Sequence, residues 1–283
     1  MTSDETTAAP PSSPRFAAGS ARSLLLTLFG EFVFPADTRT WTSTLLQAFA
    51  GLGVGDKAAR QALMRAAADG WVEGEREGRR TAWSLTPHAR RMIEEGSRRV
   101  SSLREVASEW SGQWVVLHIA LTDAQRTERQ RLYRALGWLG FGSPAVGLWV
   151  CPHEVRAAAV RSKLEQLELA DQAIAFQGRA LDFGMAERDW VERAWDLAGI
   201  AAAYEELMAR FGAMRPRGEQ AAFLAHVELV NALQRLPSAD PGLPAALLPR
   251  DWPALRASQR LNEIRTRWRD AAHAHWQKLA AAS

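Results

Sequence analysis

The stretch from Asp56 to Thr86 constrains the fold more than any other part of the sequence. In "DKAARQALMRAAADG", Lys57, Arg60, Gln61, Met64, Arg65 and Ala68 recur at helical spacing. Such positions share one continuous helix face. That face carries Lys, Arg and Gln and no acid. Ala59, Ala62, Leu63 and Ala66 form the opposite face, where small residues allow close packing. Asp56 is the expected N-cap, and Gly70 marks the C-terminal end. The next residues, "WVEGEREGRRTAWSLT", read as two short strands around a Gly-containing turn of roughly three to five residues. A helix that runs straight into a hairpin is the order of a winged helix-turn-helix.

The flanking segments complete such a domain. "RSLLLTLFGEFV" is an apolar helix that Pro35 ends. "TWTSTLLQAFAGLG" is a second, with Thr40 or Thr42 as N-cap and Gly51 or Gly53 as its stop. After the hairpin, Thr86 and Pro87 suit the N-cap and first position of another helix. The winged domain is therefore expected over 21–100. Residues 1–20, rich in Pro, Ser, Thr and Ala, are expected to be a disordered tail.

Residues 101–183 alternate in type. "QWVVLHIALT", "PAVGLWVCP" and "DQAIAFQGR" have strand character, with amphipathic helices between them. That alternation predicts a small α/β layer of ferredoxin-like type. Asp123 is expected to cap the helix after the first strand. From 184 to 283 the pattern is helical: one helix over 186–214, another over 219–236, a Pro-punctuated loop, and a closing helix over 254–282. The fold class is thus α+β with several domains.

The chemistry follows from residue types. Arg pairs bidentately with guanine, Gln with adenine, and Lys with phosphate. Lys57, Arg60, Gln61 and Arg65 are accordingly the expected major-groove residues, and Arg76, Arg79 and Arg80 on the hairpin the expected contacts to neighbouring backbone or minor groove. Trp71 and Trp83 should anchor the hairpin, and Glu73, Glu75 and Glu77 should keep its first strand from gripping DNA indiscriminately. Taken alone, the hairpin reads rather as a solvated tip with self-neutralising cross-strand pairs. The acid-free helix face beside it favours DNA.

Composition excludes several classes. No apolar run reaches the length of about 18 residues that a membrane-spanning helix needs, and the N-terminus has no signal-type apolar region. The single cysteine, Cys151, cannot form an intramolecular disulfide and sits in an apolar run, which fits a buried thiol and a cytoplasmic location. The six histidines are dispersed and show no metal-ligand spacing, and no phosphate loop or nucleophile elbow is present. Neither a cofactor nor an enzymatic role is expected.

"RSLLLTLFGEFVFP", "GVGDKAARQALMRAAADGWVEGEREGRRTAWSLTPHARR", "WSGQWVVLHIAL" and "DPGLPAALLPRDWPALRA" resemble the PaaX family of phenylacetate-catabolism repressors. The resemblance runs from about Arg22 to the end. It implies a GntR-like winged helix, a central ferredoxin-like (Cas2-like) domain and a helical C-terminal domain. It also implies a homodimer that binds double-stranded operator DNA and is released by an aromatic acyl-CoA, such as phenylacetyl-CoA. A CoA thioester calls for arginines beside apolar and aromatic walls. Arg134, Trp138, Trp149, Arg156, Trp190 and Trp195 are the residues of that kind. The contrasting reading is a winged-helix protein-interaction module that binds neither DNA nor CoA.

Overall fold

The computed structural model describes residues 19–102, 110–236 and 240–283, with backbone alone over 95–102. Nearly all of the expected tail, and most of the 101–109 connector, lie outside the described residues. Helix α1 (Ala21–Leu28) starts at Ser20, whose hydroxyl accepts from the Ser23 N–H, and runs on into a π-helical turn, Phe29–Val33. Strand β1 (Thr40–Trp41) precedes α2 (Thr42–Gly51) and α3 (Asp56–Ala68), and β2 (Val72–Glu77) and β3 (Arg80–Leu85) form the hairpin. The antiparallel sheet has the order β1-β3-β2. This succession is a winged helix-turn-helix. Its core holds Leu25, Leu28, Phe29, Leu45, Phe49, Leu63 and Leu85.

Three local expectations change. Gly55, not Asp56, is the N-cap of α3. Asp56 sits instead in the first turn, where its charge opposes the positive end of the helix dipole. Neither Thr40 nor Thr42 caps α2; the cap position is Trp41, with no side-chain hydrogen bond. The hairpin turn is only Gly78 and Arg79, because Glu77 pairs with Arg80. Gly78 adopts a φ of 63°, the positive value that two-residue hairpin loops require. Thr86 does cap α4 (Pro87–Ser102): its hydroxyl accepts from the Ala89 N–H and donates to the Gly70 carbonyl.

The middle domain comprises β4 (Trp114–Ile119), α5 (Arg126–Trp138), β5 (Gly142–Ala145), β6 (Leu148–Cys151), α6 (Ala157–Gln166) and β7 (Ala173–Gly178). Its sheet order is β5-β6-β4-β7, antiparallel throughout, which is the ferredoxin-like arrangement. The single strand expected over 144–152 is in fact the end of one strand and all of the next. Val146 and Gly147 turn the chain between them, with Gly147 at a φ of 73°. One sheet face, with Val115, Leu117, Ile119, Trp149 and the buried Cys151, packs on Leu132, Leu136, Val160 and Leu164 of the helices. By strand alternation the other face presents Trp114, Val116, Leu148, Val150, Ile174 and Phe176. Thr122, not Asp123, caps the turn before α5, in a capping box with Gln125. Asp123 instead pairs with Arg129.

The C-terminal domain holds α7 (Glu187–Ala194), α8 (Leu197–Phe211), α9 (Glu219–Leu233) and α10 (Pro253–Ala281). The one helix expected over 186–214 is broken. Trp195 is extended, and Asp196 starts a new helix by accepting from the Gly199 N–H. The Trp195 indole lies against Gly142, where a Cβ would come within 2.4 Å of the ring. The break thus lets Trp195 reach the middle domain. Helix α10 has 29 residues, a length of about 44 Å at 1.5 Å per residue. It is long enough to serve two cores. Leu261, Ile264 and Trp268 pack in the C-terminal core, whereas Ala272 and Trp276 pack in the winged-domain core. Helix α9 does the same, with Phe223 and Val227 on one side and Leu229 and Leu233 on the other. No helix among the described residues is long and apolar enough to cross a membrane.

Candidate nucleic-acid interface

Helix α3 separates its faces cleanly. Ala59, Ala62, Leu63 and Ala66 are buried, while Lys57, Arg60, Gln61, Met64 and Arg65 are exposed. Small alanines on the inner side bring the helix close to α1 and α2, and so fix the outer side against a firm base. Among the described residues, none of Lys57, Arg60 and Arg65 makes an ion pair, whereas Asp69 at the helix end is paired with Arg22 at 3.0 Å. The basic and amide groups therefore point outward uncompensated, which is what contact with a polyanion needs.

The hairpin divides its charges unevenly. Glu75 and Glu77 both pair with Arg39, at 2.8 and 2.7 Å. No local sequence signal marks Arg39 for this role. Arg76 Nε donates to the Gly78 carbonyl, which ties it to its own turn. Arg79 is exposed in the turn itself. Arg80 is held back: its guanidinium lies 4.1 Å above the Trp41 ring and donates to the Ser283 carbonyl at 2.7 Å. The end of α10 thus engages one of the three expected wing arginines. Trp83 anchors the hairpin base, buried and donating from Nε1 to Thr42 Oγ1 at 2.9 Å. Gly74 lies beneath that indole, where a Cβ would approach to 2.8 Å. Trp71 is half-buried and meets His88 edge-on.

A polar seam joins the winged domain to α9 and α10. Glu31, on the π-helical turn, is buried and accepts from His226 Nε2 at 2.9 Å and from the Arg265 guanidinium. Burial alone would raise the Glu31 pKa, but the hydrogen bond from His226 and the charge of Arg265 outweigh it and hold the carboxyl below its usual range. Beside this, Asn231 donates to Ser23 Oγ and to Thr27 Oγ1, and Thr27 donates to Gln234. The winged domain is therefore fastened to the C-terminal domain by hydrogen bonds as well as by apolar packing.

The residues considered for an effector are not gathered in one place. Trp149 is buried against Tyr133 on the helix side of the middle sheet. Arg156 donates to the Leu139 and Pro241 carbonyls and staples two segments together; burial lowers its pKa, although Cys151 opposes that shift. Arg134 and Trp138 are exposed on α5, and Trp195 is buried over Gly142. Only Trp190 of the six borders the apolar cavity on the open sheet face, together with Trp114, Val116, Leu148, Phe176, Arg179 and Arg193. Sequence reasoning misses those partners because they come from β4, β6, β7, the residue just after β7, and α7, which the sequence does not place side by side. Among the described residues, no group of three or more His, Cys, Asp or Glu side chains is arranged to hold a metal ion.

Comparison with known proteins agrees with this architecture. Family models described as "PaaX-like protein", "PaaX protein central Cas2-like domain" and "PaaX-like protein C-terminal domain" match residues 20–89, 107–189 and 195–278. The transcriptional repressor PaaX of Escherichia coli (strain K12) is 29% identical over 251 residues, covering 85% of this chain and 78% of that protein. The curated relative is thus a regulator, as a non-enzymatic reading of this chain requires. A solved structure, the uncharacterized protein Rv0674 from Mycobacterium tuberculosis, is similar in fold with a TM-score of 0.58 at 21% identity, over 91% of this chain and 99% of that one. With consecutive models of one family matching its winged, central and C-terminal parts in order, the chain belongs to the PaaX-like family.

Proposed function

We propose that this chain is a DNA-binding transcriptional repressor of an aromatic-acid catabolic operon, acting in the cytoplasm. Helix α3 enters the major groove, with Arg60, Gln61 and Arg65 on base edges and Lys57 on phosphate. Arg79 at the hairpin tip touches the flanking backbone. The observation that carries this reading is the exposed, acid-free face of α3, backed by buried alanines and set beside the wing.

Two copies pair about a two-fold axis and read a two-fold site. Pairing through the middle domain is supported by the apolar side chains exposed on and beside β7, namely Ile174, Phe176, Leu181 and Phe183, the last 91% exposed. An aromatic acyl-CoA such as phenylacetyl-CoA releases the repressor by favouring a pair geometry in which the two α3 helices no longer match the half-sites. Full switching needs a preference of about 10⁴-fold for that geometry. The test is a mobility shift on DNA from upstream of the chain's own gene, with and without phenylacetyl-CoA. A specific shift that the thioester reverses is expected. Binding no tighter than to unrelated DNA would overturn the reading.

A further inference from the structure

We propose that the cavity between the middle sheet and α7 is a docking slot for a second copy of this chain, with Phe183 of each copy entering the slot of the other. This exchange rests on the reading above that two copies pair through the middle domain, and it names the contact that joins them. The cavity has a volume of about 380 Å³ and opens to solvent. Its floor is the open sheet face, with Trp114 and Val116 of β4, Leu148 and Val150 of β6, and Phe176 of β7; Trp190 of α7 forms a wall. Trp114 Nε1 is committed to Glu187 at 2.7 Å, so the ring offers the slot its apolar surface. An apolar space of about 150 Å³ already accommodates benzene, so a phenyl side chain has room here.

The segment after β7 carries the counterpart. Arg179, Ala180 and Met185 border the cavity, whereas the residues between them leave it. Of those, Leu181 is 73% and Phe183 91% exposed. A defined turn displays them. Asp182 Oδ1 accepts from the Gly184 N–H at 2.9 Å, and Gly184 holds a φ of 103°, which residues with a Cβ rarely adopt. The turn points Phe183 away from its own slot, so in a single copy both the ring and the slot stay wet. Large apolar side chains gathered on one exposed face mark a contact surface, and Ile174 and Phe176 of β7 extend this one.

Charge and symmetry select the occupant. The charged residues that border the slot are Arg179 and Arg193, and no acid borders it among the described residues. Arg179 donates to the Ser111 carbonyl at 2.8 Å. Arg193 is exposed on α7 and makes no ion pair among the described residues. The tip carries the opposite sign: Asp182, next to Phe183, is exposed and also makes no ion pair among the described residues. A tip with a ring and a carboxylate thus meets a slot with apolar walls and a guanidinium rim. One surface holds both halves, as a two-fold contact between identical copies requires. Each pair therefore buries two Phe183 rings and brings Asp182 to Arg193 twice.

Sedimentation equilibrium of the full chain tests the exchange with two variants. Phe183→Ala removes the tip and leaves the slot, whereas Ala145→Trp fills the slot from the exposed end of β5 and leaves the tip. Each variant alone should pair at least about tenfold more weakly than the wild type, the loss expected for a central aromatic anchor. Mixed in equal amounts, with a fluorescent label on one, they should form mixed pairs in preference to either self-pair. Only the mixed pair keeps one intact tip facing one open slot. Mixed pairs no stronger than the self-pairs would mean that Phe183 does not cross between copies, and would sink the exchange. Wild-type pairing by Phe183→Ala sinks it too, but leaves pairing through another part of the middle domain. That outcome stands even where Ala145→Trp fails to fold, because position 183 is exposed. A wild-type chain that stays monomeric at every concentration removes the pairing reading and the exchange together.

Discussion

Replacing Glu31 by alanine should loosen the winged domain from the rest of the chain. Glu31 and His226 are 8% and 0% exposed in their side chains, and Arg265 is 26% exposed. Removing one partner of a buried pair costs roughly 3–5 kcal/mol, because the remaining groups stay buried and uncompensated. Arg265 recovers some hydration through its exposed part, which argues for the lower end, about 3 kcal/mol. A urea titration with a slope of about 3 kcal/mol/M would then show the midpoint falling by about 1 M.

The pH dependence gives a second reading of the same interaction. The folded-state pKa of Glu31 is depressed. Its contribution is therefore fully present above the unfolded-state value and is lost as pH falls through the folded value. The stability difference between wild type and Glu31→Ala should stay flat from neutral pH down to the ordinary carboxylate range, and shrink below it. A stability for Glu31→Ala within about 0.5 kcal/mol of wild type, the range of ordinary surface substitutions, would refute the claim that this seam joins the domains.

Other consequences are local. Gly74→Ala puts a methyl group against the Trp83 indole, so it should cost about 1–3 kcal/mol in thermal or urea denaturation, as overpacking does, and should loosen the wing. Asp196→Ala removes the hydrogen bond that starts α8 and should cost about 1 kcal/mol by the same assay. Arg79→Ala should weaken operator binding more than Arg80→Ala, because Arg80 is already engaged by Trp41 and Ser283; a larger effect for Arg80, measured by anisotropy, would mean that the end of α10 yields readily to DNA.

Much of the winged domain was legible because its signals are local. The period of α3 separates Ala59, Ala62, Leu63 and Ala66 from Lys57, Arg60, Gln61 and Arg65, and the structure buries the first set and exposes the second. Local signals failed where two elements share one hydrophobic run. "PAVGLWVCP" reads as one strand, yet Gly147 turns it back on itself. Trp195 interrupts a helical pattern because its indole packs in the middle domain, a tertiary contact that propensity does not register. The interactions that fasten the domains were invisible for the same reason. Glu31 meets His226 and Arg265 across separations of 195 and 234 residues, and Arg80 meets Ser283 across 203. One trace was there to read: Glu31 is a lone acid within the apolar helix "RSLLLTLFGEFV", and such a residue is rarely buried without a partner. The cavity borders come from five separate elements, β4, β5, β6, β7 and α7, so only their assembly brings Trp114, Phe176, Trp190 and Arg193 together.

The central claim is that the exposed face of α3 grips DNA. It is tested most directly by the salt dependence of operator affinity for the wild-type chain, Lys57→Ala and Arg60→Ala. Removing a side chain that neutralises one phosphate should lower the slope of log affinity against log salt by about 0.9. Removing one that reads a base should cost about 1–3 kcal/mol and relax the sequence preference. Lys57→Ala is expected to show the first effect. Arg60→Ala is expected to show the second, weakening binding to the operator far more than to unrelated DNA. Unchanged affinity and unchanged slope in both variants would contradict the account.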